Sequence, residues 1–154
     1  MRNQNPFLLY LGSPGTGKTY MSAAVLNILY EQRRDVIYTS HRRFIEEIKA
    51  GFDKEIHAHD IIRKYADKDY LVFDDLGASR GSEWEQEMIL DLVDRRYSNG
   101  AKTLITSNIP KEELKTFFGF RTSSRLLDQH NDILECWDID RRGSVDFKRP
   151  YKED

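Results

Sequence analysis

The chain has 154 residues, 39% of them hydrophobic and 32% charged, with a formal net charge of −2. That length suits one domain over residues 1–154, and no apolar run approaches the roughly 20 residues a bilayer span requires. The balanced charge excludes attachment to nucleic acid or membrane through bulk electrostatics, so any such contact must come from a local patch.

The first predicted element is a buried strand, the apolar run Phe7-Leu8-Leu9-Tyr10-Leu11. Gly12-Ser13-Pro14-Gly15-Thr16-Gly17-Lys18-Thr19 follows, a complete phosphate-binding loop, and residues 19–32 are expected as an amphipathic helix. Glycine lets such a backbone curl until successive N–H groups point at phosphate oxygens, beside the positive end of the helix. Lys18 would reach the β- and γ-phosphates, and the Thr19 hydroxyl would hold Mg²⁺. A chance glycine-rich turn is the rival reading, but strand and helix both stand where the motif needs them. Residues 12–19 and the adjoining Tyr20 therefore form the candidate cofactor set, for ATP or ADP.

Residues 36–39 read as a second strand, and residues 42–52 as a helix with Phe44, Ile45 and Ile48 on its apolar stripe. A short helix near 58–65 leads into a third strand at 70–74. Ser82 with Glu85 has the spacing of a capping box opening a long helix, which Asn99-Gly100 closes. Residues 102–107 form a fourth strand, and Pro110 starts a helix with Leu114, Phe117 and Phe118 on its apolar face. A further helix over 122–129 and a fifth strand over 133–139 complete the pattern. Alternating strands and helices predict an α/β fold, a five-stranded parallel sheet with helices on both faces. One cysteine, Cys136, permits no internal disulfide, and residues 1–6 have no apolar signal-peptide core, so a cytoplasmic protein is expected.

The third strand ends in Asp74-Asp75-Leu76-Gly77, and carboxylates at that end of a buried strand lie beside the ligand crevice of an open sheet. Asp74 is placed for the Mg²⁺ shell, and Asp75 for orienting or deprotonating an attacking water. The fourth strand ends in Thr106-Ser107-Asn108. The Asn108 amide suits the γ-phosphate or the attacking water, but Ser-Asn before Ile-Pro is equally an ordinary turn and cap. Arg121 and Arg125, four apart, share a helix face, either as an arginine finger or as solvated charges.

Together these segments resemble the AAA+ ATPase domain of DnaC-type helicase loaders and of the related IstB-type transposition helpers. The similarity runs from residue 5 to about 143. It takes in the phosphate loop at 12–19, Val-Phe-Asp-Asp-Leu-Gly at 72–77, Leu-Val-Asp-Arg-Arg-Tyr at 92–97 and Thr-Ser-Asn at 106–108. It continues through Phe-Gly-Phe-Arg-Thr-Ser-Ser-Arg-Leu at 118–126 and Trp-Asp-Ile-Asp-Arg at 137–141.

The resemblance implies that Asn108 is the sensor-1 residue. It also implies that Arg125 is a finger acting on a neighbouring subunit and Arg121 a second interface arginine. Arg141 matches a late family arginine without an assigned role. Asp75 is often Glu in the family, and the shorter carboxylate implies slow hydrolysis. The family's N-terminal partner-binding segment has no counterpart here, nor does a C-terminal lid. The expectation is therefore an excised domain or a stand-alone protein without the helicase-docking surface. The implied function is an ATP-driven loader in DNA replication that assembles with itself, with a replicative helicase or with single-stranded DNA. The alternative is an IstB-like transposition helper, or an ATP-gated adaptor with little hydrolysis. A small-molecule phosphotransferase fits less well, since no arginine-rich lid is readable.

Loaders of this kind bind single-stranded DNA between the second and third strands, where this chain offers Arg42, Arg43, Lys49, Phe52 and Lys54. Glu46, Glu47, Asp53 and Glu55 nearly cancel that charge, so a solvated amphipathic helix stands as the other reading, with Phe44 in the core. His57 and His59 read as surface residues rather than a metal site, and Trp84 and Trp137 as packing residues.

Overall fold

The computed structural model describes residues 6–137. Strands β1 (Phe7–Gly12), β2 (Val36–Ser40), β3 (Tyr70–Asp74), β4 (Lys102–Ser107) and β5 (Asp132–Cys136) form one sheet, ordered β2-β3-β4-β1-β5. Every pairing is parallel. The connecting helices are α1 (Lys18–Glu31), α2 (His41–Phe52), α3 (Ala58–Ala66), α4 (Glu83–Asn99) and α5 (Leu114–Leu126), the last preceded by a 3₁₀ turn at Lys111–Glu113. The expected fold class stands. Among the described residues no helix is long and apolar enough to cross a membrane.

Side chains alternate across a strand, and that period of two sorts the core into two layers. Phe7, Leu9, Leu11, Leu71, Phe73 and Ile105 face the thick layer with Phe44, Ile48, Ile62, Ile89, Leu92 and Phe118 from α2 to α5. Their neighbours Leu8, Val72 and Leu104 face the thin layer, which α1 covers with Val25, Leu26 and Leu29. Phe44 is fully buried, as expected.

The helix ends follow local chemistry. Ser82 and Glu85 make the reciprocal capping box that opens α4, and Gly100, at φ 62°, closes it in the left-handed conformation glycine adopts readily. Three expectations need correction. The helix after the phosphate loop is not cleanly amphipathic: only Lys18 and Ser22 are buried in α1, while Met21, Ile28 and Tyr30 are exposed. A helix that covers the thin face alone leaves part of its apolar circumference in water. The helix foreseen over 122–129 ends at Leu126, and it continues α5 across a break at Gly119 (φ 77°, ψ 172°). Trp137 is exposed beyond β5, its indole Nε1 donating to Glu135 at 2.9 Å, rather than packed. Trp84 is half-buried against the thick layer and beside Phe52, and His57 and His59 are exposed. The end of the expected fifth strand and Arg141 lie outside the described residues.

One buried cation ties the far end of the sheet together. Arg96 of α4 is 1% exposed, and its guanidinium donates to carbonyls of Tyr65 (2.8 Å), Lys68 (2.8 Å) and Lys102 (2.7 Å) and to the Thr103 hydroxyl (2.8 Å). Burial pushes its pKa down to about 10, which leaves it charged at neutral pH. The fork of five donors thereby satisfies the C-terminal carbonyls of α3 and the starts of β3 and β4 at once. Arg96→Leu leaves those acceptors without a donor, and we expect a loss of about 3 kcal/mol or more in urea unfolding. Arg96→Lys, with three donors, should fall between.

Candidate nucleotide site

The site is built at the carboxyl ends of the strands. β1 runs out at Gly12, where an added Cβ would lie 2.1 Å from the Cys136 carbonyl oxygen of β5, so only glycine lets the loop leave the sheet here. Gly15 (φ 83°) and Gly17 (φ 92°) take left-handed conformations as the loop curls. Gly17 caps α1 without a side-chain hydrogen bond, and no acidic residue lies in the first turn. The amino end of α1 thus borders the cleft with no side-chain cap, an arrangement that favours an anion. Lys18 is 7% exposed, and its ammonium donates to the carbonyls of Gly12 and Ser13, both at 2.7 Å. Thr16 Oγ1 also donates to the Ser13 carbonyl (2.9 Å), which fixes the crown of the loop behind Pro14.

Across the cleft, β3 delivers both carboxylates. Asp74 is buried and accepts from three neutral hydroxyls: Thr106 (2.6 Å), Ser22 (3.2 Å) and Tyr38 (3.4 Å). Burial, together with the Asp74 charge, pushes the pKa of the Tyr38 phenol up. Asp75 sits at φ 55°, unusual for a residue with a side chain. Its amide donates to Thr106 Oγ1 (2.8 Å), and its carboxylate accepts from Asn108 Nδ2 (3.2 Å). The cleft so formed holds about 270 Å³, with Gly15, Gly17, Lys18 and Thr19 on one wall and Asp75, Thr106 and Asn108 on the other. Tyr20, 82% exposed, stands at its rim. A larger hollow of about 490 Å³ opens at the other end of the sheet around Ala66, Tyr70 and Gly100, away from these groups.

Comparison with protein-family models matches residues 1–136 to the IstB-like ATP binding protein family. The chain belongs to that family. The replicative helicase loader DnaC of Escherichia coli (strain K12) is 28% identical over 132 residues, covering 84% of this chain and 54% of the loader. The chain spans about half the length of the curated relatives it matches. Among solved structures, a crystal structure of the DnaC helicase loader superposes with a TM-score of 0.73 at 28% identity, covering 86% of this chain and 81% of that one. AMPPCP-bound DnaA from Aquifex aeolicus gives 0.71 at 25% identity, covering 86% of this chain and 40% of that one. This IstB-family chain thus has the P-loop AAA+ fold, and its cleft is that of an ATP-binding family.

The remaining predicted residues of this IstB-family domain fall elsewhere. Arg121 and Arg125 do share a face, and both pair with Asp94 of α4, at 3.4 and 3.2 Å, while the Arg125 guanidinium lies 5.0 Å from the Tyr97 ring centroid. Neither arginine is among the described residues that line the cleft. On α2, Arg42 pairs with Glu46 (2.7 Å) and Lys49 with Glu85 of α4, while Arg43 and Phe52 are exposed. Sequence reasoning missed Ser22, Tyr38 and His41. Ser22 carried a faint signal, three residues after Thr19 on the same helix face. Tyr38 and His41 carried none, since their partners lie more than 30 residues away.

Gly12→Ala places a methyl on the Cys136 carbonyl, so the loop must shift. We expect affinity for a fluorescent ATP analogue to fall at least tenfold while far-UV circular dichroism stays unchanged.

Proposed function

We propose that this domain is a Mg²⁺-dependent ATPase whose subunits complete one another's sites, and that ATP controls its assembly on a replicative helicase or single-stranded DNA. The observation that carries this reading is a division of labour. Lys18, Thr19, Asp75 and Asn108 line one cleft, with Asp74 bonded to Thr106 of its wall, while Arg121 and Arg125 pair with Asp94 and are not among its lining residues. A finger placed there serves a neighbour's nucleotide rather than its own.

In this reading the loop amides and the Lys18 ammonium neutralise the phosphate oxygens, with Lys18 exchanging its two loop carbonyls for the β/γ region. Among the described residues no three His, Cys, Asp or Glu side chains gather as an all-protein metal cage. The donor set, a Thr19 hydroxyl and an Asp74 carboxylate bonded only to hydroxyls, fits Mg²⁺, which takes few protein ligands and fills its shell with phosphate and water oxygens. Bound there, Mg²⁺ supplies charge neutralisation of the triphosphate. Asp75 then orients water with Asn108 beside it, and Arg125 of the adjoining subunit stabilises charge on the γ-phosphate. Homology to loaders named DnaC supports the replicative setting. The short Asp75 side chain supports a second reading, an ATP-gated adaptor or transposition helper with little turnover.

Mixing variants tests the shared site. Lys18→Ala and Arg125→Ala should each lose turnover by about 10³-fold alone, and a mixture should recover part of it. Full activity of Arg125→Ala by itself removes the finger role. For the nucleic-acid face, binding to single-stranded oligonucleotide should weaken steeply with salt, and Arg42→Ala/Arg43→Ala should reduce the salt slope by roughly 1–2. Binding indifferent to salt removes Arg42, Arg43 and Lys49 from that role.

A further inference from the structure

His41, the first residue of α2, is 4% exposed, and neither its type nor its place belongs to any motif of the site. Its Nδ1 accepts a hydrogen bond from the Gly77 amide at 3.0 Å. That bond fixes the ring as the neutral tautomer with the proton on Nε2, and burial lowers its proton affinity in the same direction. Among the described residues Nε2 has no hydrogen-bond partner. A buried donor left unmatched carries a desolvation penalty, which offsets what the ring gains by accepting from the Gly77 amide. What distinguishes histidine from an apolar residue of similar size here is the acceptor it presents to Gly77.

Gly77 lies two residues after Asp75, in a loop whose shape is costly. Asp75 is left-handed, a strained conformation that persists only when surrounding contacts over-determine it. From the β4 side those contacts are Thr106, which accepts from the amides of Asp75 and Leu76 (both 2.8 Å), Ser107, which donates to the Leu76 carbonyl (2.6 Å), and Asn108, whose amide donates to the Asp75 carboxylate (3.2 Å). From the β2–α2 side the contact is His41. With the loop gripped on one flank only, it pivots about β4, and the carboxylate that faces the cleft moves with it.

We infer that His41 is a positioning residue for Asp75, holding the carboxylate loop in register with the cleft through the Gly77 amide and joining that loop to the start of α2. The inference rests on the proposed role of Asp75 in water activation. It predicts that losing the acceptor lowers turnover without lowering nucleotide affinity, because the bond His41 makes goes to Gly77 and His41 is not among the described residues that line the cleft. In His41→Asn the new amide oxygen stands near the place of Nδ1 and accepts the same bond; the side chain of His41→Leu accepts none.

The test compares His41→Leu, His41→Asn and Asp75→Asn in the full chain, by ATP turnover and by affinity for a non-hydrolysable ATP analogue. His41→Leu should lower kcat at least tenfold with affinity within twofold of wild type. His41→Asn should restore kcat to within about threefold. Wild-type kcat in His41→Leu overturns the inference, as does a joint fall of kcat and affinity that His41→Asn fails to rescue. If Asp75→Asn turns over like wild type, the water-activation reading fails, whatever His41 does. If Asp75→Asn is inactive and His41→Leu is normal, only the role of His41 falls. Hydrogen exchange of the amides of residues 75–78 gives a readout independent of turnover. It should quicken at least tenfold in His41→Leu and stay at the wild-type rate in His41→Asn, and unchanged protection in His41→Leu overturns the inference.

Discussion

The hydroxyl of Thr106 is the junction on which the site depends. It donates to the Asp74 carboxylate at 2.6 Å and accepts from the Asp75 amide at 2.8 Å, with its residue 1% exposed. One atom thereby uses both its donor and its acceptor capacity on two consecutive residues of the neighbouring strand. Asp74 is held pointing toward α1, and the chain is forced to turn at the next residue. A valine of similar shape would fill the same space but would take from the Asp74 carboxylate the shortest of its three hydrogen bonds and from the Asp75 amide its acceptor. The sheet can place β3 next to β4; the hydroxyl decides where their ends look.

Below that junction the fold divides its work between two faces of unequal depth. The layer under α2 to α5 holds most of the fully buried side chains, and Arg96 closes its far end. The layer under α1 is shallow, with Val36, Val72 and Leu104 as its buried members. The helix that carries Lys18 and Thr19 is thus the one least committed to the core. Local opening free energy follows buried apolar contact, so the phosphate loop and α1 belong to the softer part of the molecule. A ligand that binds there gains room to adjust the loop, and in doing so firms the weaker face.

What could be read in the residues followed their range of interaction. The bounds of β3 and the capping box of α4 were legible because runs of buried residues and a Ser-x-x-Glu spacing are local signals. The phosphate loop was legible for the same reason, and so was the pairing of Arg121 with Arg125 on one face. The character of α1 was not, because its apolar residues promised a covered stripe that the thin layer only half provides. The partners of Asp74 on α1 and β2 were hidden too: Ser22 and Tyr38 are common residues whose meaning comes from register, with Ser40 opposite Asp74 across the sheet. The carboxylate common to Arg121 and Arg125 lies 27 and 31 residues earlier in the chain, and no spacing rule connects them.

Gly119 shows how an absent side chain can aim a present one. Its torsions, φ 77° and ψ 172°, lie in a region essentially closed to residues with a Cβ, yet a Cβ there would meet no atom within 4 Å. The prohibition is torsional alone: space is available and rotation is not. Two half-helices consequently meet at an angle that no larger amino acid can reproduce, and the bearing of both guanidinium groups downstream is set by that joint. Phe118 before it is held in the core and Phe120 after it stands in solvent, and the residue between them acts as a fixed elbow.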